Sequence, residues 1–145
     1  MNAQIKNKAR ELLKSANLRC TQCRVSVLIT LLDSDRPLTR EQIADILACD
    51  APNKVTIYRT LESLLRANLI HKAFVQDRTW HFEPAHNCTT DQCHPHFTCK
   101  NCNQTHCFTE MSMPMAQSPH NGFIIQHQKV QLEGLCPDCR SKNTA

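Results

Sequence analysis

Two short cysteine pairs constrain this chain more than anything else in it: Cys99-Lys100-Asn101-Cys102 and Cys136-Pro137-Asp138-Cys139. Each CxxC places two thiols on one tight turn, and the stretch between the pairs is long enough to bring both turns to one point. Zinc accepts four thiolates in a closed tetrahedron at about 2.3 Å, and such a site contributes folding free energy outright. A doubled pair is a much stronger signal than a single one. The expectation is a structural zinc ion, one per subunit, held by Cys99, Cys102, Cys136 and Cys139. Two disulfides are the competing reading.

Composition weighs against disulfides. The 145 residues include ten cysteines and eight histidines. Met1 to Arg10 is polar and basic, without the apolar core of an export signal, and no run is apolar and long enough to span a membrane. The expected location is cytoplasmic, with no membrane partner. Thiols there stay reduced, and reduced cysteine beside histidine means metal more readily than cystine. A chain of this length makes one ordinary domain or two small ones, and a small domain gains from a metal staple.

The net charge of +4 is modest, but its distribution is informative. Lys6, Lys8, Arg10, Lys14, Arg19, Arg24, Arg36, Arg40, Lys54, Arg59 and Arg66 all lie in the first half, whereas the second is rich in cysteine, histidine and glutamine. That asymmetry suggests a polyanion-facing module joined to a metal-binding one.

Hydrophobic spacing predicts four helices in the first half. Ile5, Ala9, Leu12, Leu13 and Ala16 form a first helical stripe. Thr21 caps a second helix through Val25, Leu28, Ile29 and Leu32; Thr39 caps a third, with Ile43, Ile46 and Leu47 inward. Asn53 or Thr56 starts a fourth, carrying Ile57, Leu61, Leu64 and Leu65. The period then changes: Leu69 to Val75 and Thr79 to Glu83 read as two strands around a Gln76-Asp77-Arg78 turn, with Trp80 and Phe82 on one side. Helices followed by a hairpin outline a winged helix, whose last helix enters the DNA major groove in readers of this kind. On that helix Thr56, Tyr58, Arg59 and Thr60 are left toward solvent. An arginine there can grip guanine or phosphate and a tyrosine can pack on a thymine methyl, although a plain solvated face is the bland alternative.

A polar connector over residues 85–92 separates this domain, 1–84, from a second over 93–145. In the second, strands are expected at His96 to Cys99, Gln104 to Phe108 and, as a long one, Phe123 to Leu132, with room for a short helix within Met111 to Ser118. The fold class is α+β: an N-terminal winged-helix domain followed by a small α/β domain clipped by a four-cysteine zinc site.

Val55-Thr56-Ile57-Tyr58-Arg59-Thr60-Leu61, the two CxxC pairs and the lead-in His94-Pro95-His96-Phe97-Thr98-Cys99 together resemble the ferric-uptake-regulator (Fur) superfamily, most of all its zinc-uptake-regulator branch. The likeness runs from about Ala9 to Cys139. Arg19-Cys20-Thr21-Gln22-Cys23-Arg24 stands where that family has Arg-x-Thr-Pro-Gln-Arg, with Gln22 and Cys23 as the departures. The resemblance implies a dimeric, metal-dependent repressor, with the second domain for dimerisation and a palindromic double-stranded operator as partner. It also implies DNA contacts at Arg24, Thr56, Tyr58 and Arg59. Cys20, Cys23 and Cys49 receive no role.

The same resemblance implies a regulatory metal site that bridges the two domains. His94 and His96 occupy alternate positions of one strand and match family ligands; His71, Glu83 and Cys107 match further ligand positions, and Cys88 lies in the connector where zinc sensors often place a cysteine. A third site would use His127, with Cys93 partly replacing an acidic partner that Pro95 has displaced. Thiol plus imidazole suits Zn2+ better than Fe2+ or Mn2+. A zinc sensor repressing zinc-uptake genes is therefore expected, with regulatory zinc beside the structural ion; an iron- or peroxide-sensing member is the alternative. No enzyme is expected: His81-Phe82-Glu83 only mimics part of a zinc-deaminase signature, and two glycines leave no phosphate-binding loop.

Overall fold

A computed structural model describes residues 3–48, 53–85, 92–117 and 120–143. The chain divides into two compact units, Met1–His86 and Asn87–Ala145.

In the first unit, helices α1 (Ala3–Ser15), α2 (Gln22–Asp33), α3 (Arg40–Ile46) and α4 (Lys54–Arg66) precede a hairpin of β2 (Ile70–Gln76) and β3 (Thr79–Pro84), and a short β1 (Leu38–Thr39) sits between α2 and α3. Local chemistry sets the helix starts. The Thr21 hydroxyl accepts the Arg24 N–H, Thr39 and Gln42 exchange bonds in a capping box, and Asn53 accepts the Thr56 N–H. Asn17 and Asn68 end α1 and α4 in the left-handed conformation (φ 54° and 55°), which asparagine tolerates. One hydrophobic cluster then ties the unit together: Ala9 and Leu13 of α1, Val25, Leu28 and Leu31 of α2, Ile43 of α3, Ile57, Leu61 and Leu64 of α4, and Ile70 and Phe82 of the hairpin. Each large aliphatic side chain buried there contributes about 1.5–3 kcal/mol. β3 is the central strand, antiparallel to β1 through Leu38↔Phe82 and to β2 through Val75↔Trp80. A register shift between Lys72 and Phe74 breaks the regular alternation of β2.

Two expectations fail in this unit. Ile46 is 59% exposed rather than inward, because α3 ends there and Leu47, not Ile46, packs on the core. Thr60 is buried, its hydroxyl 3.2 Å from the Cys23 sulfur, because it follows Ile57 by three positions on the core side of α4.

In the second unit a three-stranded sheet has the order β5-β4-β6, with β4 (His96–Cys99) antiparallel to β5 (Thr105–Cys107) and parallel to β6 (Gln131–Gly134); helix α5 (Pro137–Asn143) closes it. The long strand expected over Phe123 to Leu132 is not formed. β4 offers only four residues to pair with, so β6 runs only from Gln131, opposite His96, to Gly134, opposite Cys99. Upstream of it a single bridge joins Gln128 to Gln92, and Phe123 and Ile124 are 70% and 85% exposed. Residues 111–117 carry no helix. Among the described residues no helix is long and apolar enough to cross a membrane.

Candidate metal centres and nucleic-acid face

The four CxxC sulfurs converge because two different devices meet. β4 ends at Cys99, and the turn after it, with Asn103 at φ 59°, returns Cys102 beside it; the Asn103 N–H donates to the Cys99 carbonyl at 2.9 Å. The parallel pairing of β6 brings Gly134 opposite Cys99, and α5 begins at Pro137, so Cys136 and Cys139 flank its first turn. The ligand atoms of all four cysteines lie within 4.8 Å of one another, and Cys102 Sγ stands 3.9 Å from Cys136 Sγ. A tetrahedron with metal–sulfur bonds of about 2.3 Å has edges of about 3.8 Å, so the donor set fits Zn2+. Polar hydrogens point at the sulfurs as well: the Cys136 N–H lies 3.4 Å from Cys99 Sγ and the Asn101 amide 3.2 Å from Cys139 Sγ. The N–H groups of Cys102 and Cys136 hold the Cys99 thiol down at about 6. Cys102, although drawn down by the Gln104 N–H, is pushed up to about 11 by burial and by sharing protons with its sulfur neighbours. Cys136 is drawn down by the Cys139 N–H but raised on balance by burial and its sulfur contacts.

A second donor set lies at the other end of β4. His96 pairs directly opposite Cys107, and His94 precedes it on the same side of the chain. The two imidazoles are 4.6 Å apart at a tilt of 51°, both are buried, and ligand atoms of His94, His96 and Cys107 lie within 4.8 Å of one another. In the first unit His71 and Glu83 face each other across β2 and β3, with Nε2 and Oε1 at 2.7 Å. Glu83 is buried, and a buried carboxylate requires such a partner. Cys93 is buried while His127 is exposed. Cys88 lies outside the described residues.

On α4, Arg59 is exposed and Tyr58 half-buried. The Thr56 hydroxyl donates to the Asn53 side chain at 3.0 Å, so it serves the helix cap. Arg24 donates to the Arg19 carbonyl and the Ser63 hydroxyl, both at 3.2 Å, which fixes the start of α2 against α4. Sequence reasoning missed what surrounds Tyr58: Arg40 lies over its ring at 4.6 Å and Glu41 accepts its hydroxyl at 3.4 Å. Both neighbours sit in the first turn of α3, directly after the Thr39 cap that the sequence shows.

The sequence profile of the Ferric uptake regulator family matches residues 15–133. This chain belongs to the ferric uptake regulator family. Transcriptional regulator FurA of Mycobacterium tuberculosis is 27% identical over 140 residues, covering 93% of this chain and 92% of FurA. The Peroxide operon regulator of Bacillus subtilis is 26% identical over 147 residues, covering 98% of both. Among solved structures, a zinc uptake regulator complexed with zinc and DNA superposes with a TM-score of 0.66 at 21% identity, over 98% of this chain and 97% of that one. The Helicobacter pylori ferric uptake regulator superposes with a TM-score of 0.63 at 19% identity, over 94% of this chain and 92% of that one. These structures share the Fur fold with the chain. As a Fur-family protein it is a metal-responsive transcriptional regulator and not an enzyme.

Proposed function

We propose that the chain is a zinc-sensing repressor that binds a palindromic operator as a zinc-loaded homodimer and represses zinc-uptake genes. The observation that carries this reading is the second donor set. His94, His96 and Cys107 offer two imidazoles and a thiol, separate from the four-cysteine cluster, and a mixed nitrogen–sulfur set prefers Zn2+ to Fe2+ or Mn2+. Residues 1–84 act as the DNA-binding domain, 85–92 as connector and 93–145 as dimerisation domain. Cys99, Cys102, Cys136 and Cys139 hold structural zinc. Regulatory zinc draws on His94, His96 and Cys107, with His71 and Glu83 as the donors of the DNA-binding domain and Cys88 as a further candidate; Cys93 and His127 are assigned to a third site.

When bound, the ion would supply a cross-link among the donors assigned to it. His71 and Glu83 lie on the hairpin that follows α4, so fixing them restricts the poses that α4 can take. A ligand shifts a conformational equilibrium only by its differential affinity for the two states, and donors contributed by two domains bind tightly only in the arrangement that assembles them. Tyr58 and Arg59 read bases, while Arg24 positions α2 and α4 and Thr56 caps the reading helix. The exposed Phe123 and Ile124, ahead of edge strand β6, support a second copy of the chain as partner.

A second reading is favoured by the curated relatives, which include a peroxide operon regulator. It makes the chain an iron or peroxide sensor. One experiment separates the two. Protein depleted by mild chelation is recharged with Zn2+, Fe2+ or Mn2+ and used to select duplexes from a random library. Selection with Zn2+ at the lowest free concentration, undisturbed by peroxide, supports the zinc sensor. Selection with Fe2+ and release by peroxide supports the second reading, and equal binding without any metal overturns both.

A further inference from the structure

We propose that Asn121-Gly122 is a site of spontaneous covalent modification, at which the asparagine amide becomes a carboxylate and weakens the pairing of two copies of the chain. The effect on pairing rests on the reading of Phe123 and Ile124 as the face that takes a second copy. Asparagine is chemically labile, most of all where the backbone nitrogen that follows it can reach its side-chain carbonyl. Gly122 is one of two glycines in the chain, and Asn121 is the sole asparagine that a glycine follows. Both residues lie exposed in a turn. Gly122 sits at φ 89°, and the space where a Cβ would stand is open, with no atom within 4 Å. No side chain therefore guards the nitrogen, and the backbone keeps the freedom that closing a ring requires.

Hydrogen bonding separates this asparagine from others in the chain. Asn17 and Asn68 are followed by engaged nitrogens: the Leu18 N–H donates to the Leu13 carbonyl at 2.9 Å and the Leu69 N–H to the Leu64 carbonyl at 3.1 Å. The Asn53 side chain caps α4, and the Asn101 amide points at Cys139 Sγ. Among the described residues no hydrogen bond ties the Asn121 carboxamide or the Gly122 N–H. In the reaction the Gly122 nitrogen gives up its proton and attacks Asn121 Cγ. A carbon–nitrogen bond closes a cyclic imide, and the side-chain nitrogen leaves as ammonia. Water then opens either imide carbonyl, giving aspartate or, where the chain now runs through the side chain, isoaspartate. The only co-reactant is water. Either product sets a new carboxylate directly ahead of Phe123 and Ile124, which are 70% and 85% exposed. Burying that charge unpaired against a second copy costs free energy that the neutral amide does not.

The test ages zinc-loaded protein in warm, mildly alkaline buffer. Fragment masses of the tryptic peptide ending at Lys129 read conversion at Asn121, with Asn101 and Asn103 in the same peptide as internal controls. An isoaspartate methyltransferase labels the isomerised share, and sedimentation over a series of concentrations reads pairing. The mass gain of an amide-to-acid exchange is expected at Asn121 several-fold sooner than at Asn101 or Asn103. Aged wild type and fresh Asn121→Asp are expected to pair several-fold more weakly than fresh wild type, while Asn121→Gln keeps its pairing on ageing. Conversion at Asn121 no faster than at the two controls overturns the modification site. Full pairing by both the converted protein and Asn121→Asp overturns the effect on association. Wild-type protein that stays monomeric at every concentration overturns the second-copy reading, and the mass measurement still decides the modification by itself.

Discussion

Cys99 and His96 stand three residues apart on one strand and are expected to fail in opposite ways. Cys99 is fully buried in the sulfur cluster that holds the sheet to α5. Cys99→Ser is expected to lose the structural ion and the second unit's fold, read as zinc per chain and loss of strand signal in circular dichroism. His96→Ala leaves the four sulfurs in place and is expected to keep the fold while abolishing metal-dependent DNA binding. Identical metal dependence in the two variants would defeat the proposed division of labour. Proton counting makes a second prediction. At pH 7 the Cys99 thiol, held at about 6, is already ionised, whereas Cys102, at about 11, and the raised Cys136 keep their protons. Zinc entry should therefore release at least two protons per site, read by calorimetry in buffers of different ionisation enthalpy. The sign for Cys99 follows from its depression below the ordinary thiol value of 9.0: gathering the cluster favours its ionised form, a preference complete above that value and lost as pH falls through about 6. The cysteine quartet is readable in the sequence because its spacing alone demands convergence. The burial of Thr60 is not, because a helical stripe defined by Ile57 and Leu61 does not say how far the buried face extends to either side.

Elements announce themselves where their ends carry chemistry. Thr21, Thr39 with Gln42, and Asn53 each combine a side-chain acceptor with a following apolar stripe, and α2, α3 and α4 begin beside them. α5 escapes sequence reasoning although Pro137, Asp138, Arg140 and Lys142 are the residues a short helix places at its two ends, because a CxxC reads first as a turn. The overlong strand before Leu132 has the opposite cause: alternation is local, whereas strand length is set by the neighbour, and β4 spans only His96–Cys99. Gly134 tests how closely β6 must approach. A Cβ there would lie 3.2 and 3.3 Å from two Phe97 ring carbons, and that ring stacks on Phe108 at 5.7 Å. Gly134→Ala is expected to cost about 1–2 kcal/mol. Because folding and metal binding are linked in this unit, chelator competition should show zinc held about tenfold less tightly. An unchanged affinity would mean that the Phe97 ring yields freely.

At the scale of the whole chain the two units rest on different materials. The first has a continuous aliphatic core from Ala9 to Phe82, whereas the buried cluster around α5 consists of Cys99, Cys136 and Cys139 with Phe97 packed on it. Stripping the structural ion is expected to unfold the second unit and leave the first folded, so that amide spectra retain dispersed signals from residues 3–85 and lose those of 92–143. Simultaneous collapse of both would show that the first unit does not stand alone. The broad division into a helical, basic half and a thiol-rich half is visible in the residue types. The environments of Tyr58 and Trp80 are not, because they depend on strand register and on which helix lies across from which. The sulfur centre has one more consequence. A newly made chain in a cell starved of the ion that the four sulfurs take has nothing to build its second half around, so, on the zinc-sensor proposal, the abundance of this regulator would itself track the supply of the element it monitors.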